Sequence, residues 1–345
     1  MEKNLVMKDT ENFIHFVNPG PEQLHHRPED FLAQLDAPTL IDVEGHDPKR
    51  CRVISSLIHG NEPSGFMALH RWLCEGHKPA TNLRIILPSV AAAQAQPLFS
   101  HRHLPHEADL NRCFHLDGEG LIIQRAQQIK NLIHECDPEA VIDLHNTSGM
   151  GPAFAVTTRD DGQSRTLISY FCPLAILTGL KVGSLMEEEF NCPIVTIECG
   201  GAQDESAHDL AYEGIKKFTE HHDIFSPQSE IPVEVMHHPM RIEVREPVRI
   251  AYHTERIDTV DICLFSHIEN YNQGLTPKGT ALGWLNSHDL GDIIVRDEQG
   301  AELPAELFRL KKNQLITRHD MNIFMATTDM DIAKEDCLFY AIIKE

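Results

Sequence analysis

The chain has 345 residues, of which 41% are hydrophobic and 24% charged, a composition that excludes wholesale disorder and suffices for a packed globule. Its formal net charge of −22 excludes a general polyanion-binding surface, because phosphate backbones recruit clustered Lys and Arg. The length exceeds the usual size of a single core, so a large domain accompanied by a smaller one is expected.

The opening MEKNLVMKDTENFIHF carries neither a basic n-region nor a continuous apolar h-region. No run approaches the roughly 18 apolar residues of a spanning helix. The expectation is a cytoplasmic protein with no membrane and no nucleic-acid partner. Nine cysteines are scattered from Cys51 to Cys337 without a CxxC pair, which fits reduced thiols better than a disulfide framework or a thiolate zinc knuckle. The histidine pairs His25-His26, His221-His222 and His237-His238 stand in polar surroundings and read as surface residues.

Up to about residue 230 the chain alternates strand-like and helix-like segments. Short Val-, Ile- and Leu-rich runs predict strands at 51–58, 82–90, 139–145, 152–158 and 192–198. Apolar spacing near 3.6 residues predicts helices at 64–75, 121–136 and 204–222. Such alternation implies an α/β sheet with helices on its faces. At 224–234, IFSPQSEIPVE reads as a linker, with Pro227 and Pro232 flanking a polar stretch. Beyond it, short alternating runs split by Gly, Pro, Asn and Asp predict an antiparallel β domain. The expected domains are therefore 1–230 and 231–345.

Four stretches carry candidate chemistry. The strand at 51–58 runs into His59-Gly60-Asn61-Glu62, where the small residues permit a turn that brings His59 and Glu62 to one point. Glu62 reads equally as a carboxylate complementing the N-terminus of the next helix. A second strand ends on His145 in VIDLHNTSG, and the carboxyl ends of strands form the ligand-binding edge of an open α/β sheet. His59, Glu62 and His145 thus make a candidate His2Glu metal site with room for water. A third strand, CPIVTIECGG, ends on Glu198, which suits a partly desolvated general base and proton donor, or else a buried, paired glutamate. In HEADLNRCF, Asp109, Asn111 and Arg112 fit recognition of a carboxylate or a plain surface turn with a local salt bridge.

HGNE at 59–62, DLNR at 109–112, DLHNTSG at 143–149 and the strand-borne glutamate of IECG at 197–200 together resemble the succinylglutamate desuccinylase/aspartoacylase family, relatives of the zinc carboxypeptidases. With the element pattern, the resemblance implies an α/β, zinc-carboxypeptidase-like mixed sheet flanked by helices, with a smaller C-terminal antiparallel β domain. It further implies that His59, Glu62 and His145 bind Zn2+ and that Glu198 activates the attacking water. Asn111 and Arg112 would contact the substrate α-carboxylate, Asp109 would support the site, and Arg102 would stabilise the oxyanion. Arg102 stands farther from Asp109 than the family pattern has it.

The implied activity is a zinc-dependent amidohydrolase, a deacylase acting on a small N-acyl amino acid. A zinc carboxypeptidase and a non-catalytic metal-dependent binding protein are the alternatives. Members acting on acidic acyl amino acids carry an arginine eight to ten residues before the catalytic glutamate, whereas this chain has SLMEEEFNCP there. Glu187, Glu188 and Glu189 read either as a solvated surface or as a pocket wall that repels acidic side chains. The segment RHDMNIFMATTDM also lacks the tyrosine of aspartoacylase-like members. Assembly into a homo-oligomer stays open.

Overall fold

A computed structural model describes residues 13–226, 232–287 and 289–344. The residues of the N-terminal segment up to Asn12 and residues 227–231 of the expected linker lie outside the described residues. The chain divides into two compact units, one of Met1–Asn146, Ala153–Ala175 and Lys181–Val235, the other of Thr147–Pro152, Ile176–Leu180 and Met236–Glu345.

The first unit is organised by a mixed nine-stranded sheet. Its strands are β1 (Ile14–Val17), β2 (Thr39–Val43), β3 (Asp47–Ser56), β4 (Thr81–Leu87), β5 (Val141–Thr147), β6 (Phe154–Thr157), β7 (Leu174–Leu177), β8 (Ile194–Gly201) and β9 (Glu234–His237). They lie in the order β1-β2-β4-β3-β5-β8-β6-β7-β9. β3 is parallel to β4 and β5, whereas β2 runs antiparallel to β4 and β6 antiparallel to β8. All five strands expected here form, with ends moved by a few residues. β1, β2, β7 and β9 are additional.

Side chains alternate between the two faces of a strand, so each central strand feeds two cores. On β3, Val53 faces one core and Ile54 the other; on β5, Val141 and Ile142 divide the same way. Helices Ser64–Cys74 and Glu205–Glu220 cover one face with Phe66, Leu69, Trp72, Ile215 and Phe218. Helix Leu121–Glu135 covers the other with Ile122, Ala126, Ile129 and Ile133, one apolar stripe at helical spacing.

A buried charge cluster ties this unit together at the amino end of β3. Arg52, only 1% exposed, pairs with Glu139 and donates to the carbonyls of Phe218 and His222. Arg50 holds the other carboxylate oxygen of Glu139. Removing one partner of such a pair strands the other in a low-dielectric site. Glu139→Ala should therefore lower unfolding free energy by about 3 kcal/mol, read as a fall in the denaturant midpoint with an unchanged slope.

The second unit has its own core, including Ile242, Leu264, Leu285, Phe308, Ile323 and Phe339. Its strands are β10 (Met240–Val244), β11 (Ile250–Tyr252), β12 (Ile262–Leu264), β13 (Leu275–Thr276), β14 (Ala281–Leu285), β15 (Ile293–Arg296), β16 (Phe308–Lys311), β17 (Gln314–Thr317), β18 (Met321–Phe324) and β19 (Phe339–Ile343). They form two five-stranded sheets, β13-β18-β19-β10-β15 and β11-β12-β14-β17-β16. Pairing is antiparallel except between β11 and β12. Within this unit the Glu269 carboxylate accepts from the backbone of Met150 at 3.0 Å and of Thr328 at 2.9 Å. The Asn272 amide donates to the carbonyls of Met150 and Ala326. The short segment Thr147–Pro152 is thus built into the C-terminal unit. A boundary drawn along the chain does not reveal that arrangement.

Candidate active site

Each candidate ligand sits where a strand of the first unit runs out at its carboxyl end. After β3 the chain turns at Leu57, whose φ of 55° is left-handed, and delivers His59. Gly60 lies so close to Ala92 and Ala93 that a Cβ would meet the Ala93 nitrogen at 2.6 Å. Pro63 is the N-cap of helix Ser64–Cys74 and makes no side-chain cap; the first N–H of that helix, on Ser64, goes to the Asn146 side chain. Glu62 is therefore not a capping residue.

Its carboxylate instead lies between two imidazoles. Oε1 is 2.8 Å from Nδ1 of His59, and Oε2 is 2.6 Å from Nδ1 of His145. The Asn146 backbone N–H reaches Oε2 at 3.4 Å, and Arg102 Nη1 reaches Oε1 at 3.5 Å. All three residues are buried, and one donor atom from each lies within 4.8 Å of the others. Burial opposes ionisation of Glu62, yet the neighbouring His59 and His145 hold its carboxyl far below the usual carboxylate range.

The far nitrogens of both rings meet further carboxylates. His59 Nε2 lies 3.1 Å from Asp109 Oδ1, and His145 Nε2 lies 2.8 Å from Asp143 Oδ2. A ring that donates Nε2–H to a carboxylate keeps its lone pair on Nδ1, the tautomer a metal needs. Two such rings and one carboxylate, aimed at a common point, fit a divalent transition metal with positions left for water and substrate.

Glu198, on β8, is 6% exposed, and its Oε2 has no hydrogen-bond partner among the described residues. Burial pushes its carboxyl up to about 8, partly opposed by His145. Asp109 is the N-cap of the turn Leu110–Arg112 and accepts the Asn111 N–H at 2.8 Å. Its other oxygen takes Arg102 Nε at 3.0 Å and Nη2 at 2.9 Å. Despite burial, Arg102 and His59 hold Asp109 well below the usual carboxylate range. Asn111 is buried, with its amide oxygen accepting from Leu185 N at 3.0 Å. Arg112 donates from Nη1 to the Asn111 carbonyl.

Residues 50–214 match the family model of the succinylglutamate desuccinylase/aspartoacylase catalytic domain, a span that contains every residue of this site. Residues 50–214 are thus a succinylglutamate desuccinylase/aspartoacylase catalytic domain. Solved structures agree in fold. A succinylglutamate desuccinylase/aspartoacylase from Rhodobacter sphaeroides aligns at 14% identity over 90% of each chain, with a TM-score of 0.57. Succinylglutamate desuccinylase from Vibrio cholerae aligns at 16% identity over 87% of this chain and 96% of that one, with a TM-score of 0.54. A mutant murine aminoacylase 3 aligns at 13% identity over 87% and 96%, with a TM-score of 0.53. At these identities the likeness establishes the fold. No curated protein sequence matches the chain significantly.

Within this desuccinylase/aspartoacylase domain, two residues escaped sequence reasoning. Asp143 lies two positions before His145 on β5, so both side chains leave the same face. The D-x-H period was the available signal. Asn146 accepts from Ser64 N at 2.9 Å and donates to Ser64 Oγ and to the Gly200 carbonyl, both at 2.8 Å. It clamps the ends of β5 and β8 to the helix that follows Glu62.

The acidic run fits neither expected reading. Glu187 Oε1 accepts the N–H groups of Val182, Gly183 and Ser184 at 2.9–3.0 Å and closes a capping box with Ser184. Glu188 pairs with Lys130 at 3.5 Å, and only Glu189 is fully exposed. The run folds its own loop.

Metal affinity should depend on pH with a definite sign. Burial lowers the proton affinity of His145, but Asp143 and Glu62 outweigh it and hold the imidazole well above its usual value. A metal ligand must be unprotonated, so proton and metal compete. Zinc affinity is expected to fall about tenfold per pH unit on the acid side of that raised value and to level off above it. Calorimetry in buffers of different ionisation heat reads the released proton; affinity independent of pH between 5 and 8, a window chosen to span the usual histidine range, contradicts the assignment.

Proposed function

We propose that the protein is a zinc-dependent hydrolase that cleaves the amide bond of an N-acyl amino acid. The supporting observation is Glu198, a buried carboxyl with one oxygen unpartnered among the described residues, in the electrostatic reach of a His2Glu group. His59, Glu62 and His145 would hold the ion, with Asp109 and Asp143 fixing the two rings. Zinc bound there supplies a Lewis acid for the carbonyl oxygen, acidifies water and draws the Glu198 carboxyl back toward its ionised form.

The remaining steps belong to side chains. Glu198 takes a proton from the attacking water and returns it to the departing amine; its buried site makes it a stronger base than an exposed glutamate. Arg102, held by Asp109, places positive charge beside Glu62, where negative charge on the tetrahedral oxygen would develop. Asn111 offers its amide N–H groups and Arg112 its guanidinium to the substrate α-carboxylate. With Glu187 turned onto backbone N–H groups and Glu188 onto Lys130, the acidic run supplies no repulsion against acidic substrates.

The test is amine release by the zinc-loaded protein from N-acyl amino acids with acidic, neutral and basic side chains, run beside peptides of increasing length. Release from the acyl amino acids and not from the peptides is expected. Preference for a peptide C-terminus would make it a carboxypeptidase, and zinc binding without any release would make it a binding protein.

A further inference from the structure

Three chain segments deliver Glu62, His145 and Glu198, and one hydrogen-bonded chain of side chains joins all three. Ser64, two residues after Glu62, is fully buried at the first position of helix Ser64–Cys74. Its backbone N–H donates to Asn146 Oδ1 at 2.9 Å, and its Oγ accepts from Asn146 Nδ2 at 2.8 Å. Asn146 follows His145 directly, and its backbone N–H is turned toward Glu62 Oε2 at 3.4 Å. The same Nδ2 donates to the carbonyl of Gly200, two residues beyond Glu198 on β8.

The chain continues to helix Glu205–Glu220. Ser64 Oγ lies 2.7 Å from Nδ1 of His208, a half-buried residue near the start of that helix. Since Asn146 Nδ2 already occupies a lone pair of Ser64 Oγ, the hydroxyl proton is left to be given, and His208 Nδ1 is its acceptor. Nδ1 can accept only on an uncharged ring protonated at Nε2. Burial lowers the proton affinity of His208 against the pull of Asp204, Asp209 and Glu205, which keeps the ring in that form.

We infer that His208 is a positioning residue of the candidate site: by accepting the Ser64 hydroxyl it locks the Asn146 amide that joins the segments carrying Glu62, His145 and Glu198. A buried hydroxyl stripped of its acceptor keeps the full cost of its lost hydration. Turned toward Asn146 instead, it would meet a second donor in Nδ2. The amide would have to turn over, giving up both Ser64 N and the Gly200 carbonyl. Either outcome loosens the joint between β5, β8 and helix Ser64–Cys74. Because His208 acts through Ser64 and Asn146, its loss should cost about tenfold, the low end for removing a residue that orients a metal ligand.

The experiment compares wild type, His208→Leu, His208→Asn and Ser64→Ala. Zinc affinity is read by equilibrium dialysis, and kcat and KM are read at saturating zinc on the N-acyl amino acid that wild type cleaves best. His208→Leu fills space without an acceptor, so zinc should bind about tenfold more weakly and kcat should fall by a similar factor with KM little changed. His208→Asn brings an amide oxygen close to the position of Nδ1 and should recover most of both losses. Ser64→Ala should match His208→Leu, and the double variant should lose no more than either alone. Wild-type zinc affinity in His208→Leu or in Ser64→Ala overturns the inference, as does His208→Asn no better than His208→Leu, the result a ring that only packs would give. The turnover arm rests on the hydrolase reading and the dialysis arm does not. If wild type releases no amine, that reading fails while the zinc affinities still decide the role of His208. If His208→Leu does not fold, Ser64→Ala and His208→Asn carry the same comparison.

Discussion

Glu198→Gln is expected to bind zinc as the wild type does while releasing amine about 10²–10⁴-fold more slowly, the range that one positioned acid–base group contributes. The substitution keeps shape and removes only the ability to take and return a proton. Glu198 stands outside the His59-Glu62-His145 group, and its Oε2 has no hydrogen bond to lose among the described residues. Metal content and turnover measured on one sample separate the chemical loss from a folding loss; near-normal turnover rejects the role. A linked effect follows in the metal-free protein. The folded carboxyl titrates at about 8 against an ordinary 4.5, so its contribution to stability is full below 4.5 and is lost as pH rises toward 8. Metal-free Glu198→Gln should lack that loss, and its denaturant midpoint should exceed the wild type's at pH 8 by more than at pH 5.

Glu62→Ala carries the other large effect, on zinc itself. Glu62 faces Nδ1 of both His59 and His145, whose ring centres stand 5.1 Å apart. Its removal would delete one of the three candidate ligands and leave the two buried rings without the carboxylate between them. Loss of a partner that only orients a ligand costs about 10–100-fold in metal affinity, the effect expected for Asp143→Asn. Glu62→Ala should lose considerably more and release no amine. Equilibrium dialysis reads both variants; equal losses would show that Glu62 is not a ligand.

The main features of the site were legible because they lie where patterns break. His59, His145 and Glu198 each end an apolar run, and a polar residue there is at the edge where strands deliver ligands. Asp143 was hidden inside such a run, since a buried acid paired to the next same-face residue looks like an interruption. Asn146 was hidden because its value lies in three partners far apart in sequence. β1 and β7 are four residues each, too short for a period to register. The acidic run misled for a related reason. Charge counting assumes that a carboxylate faces water or a ligand, and Glu187 faces the N–H groups of its own loop. Thr147–Pro152 joins the C-terminal unit through Glu269 and Asn272, contacts that composition cannot announce.

The most direct measurement is amine release from an N-acyl amino acid while the metal-free protein is titrated with zinc. The account predicts that release is absent without metal, rises in proportion to zinc bound and saturates when each chain holds a single ion. Release that persists in excess chelator, or that stays absent at full occupancy across the substrate panel, contradicts it.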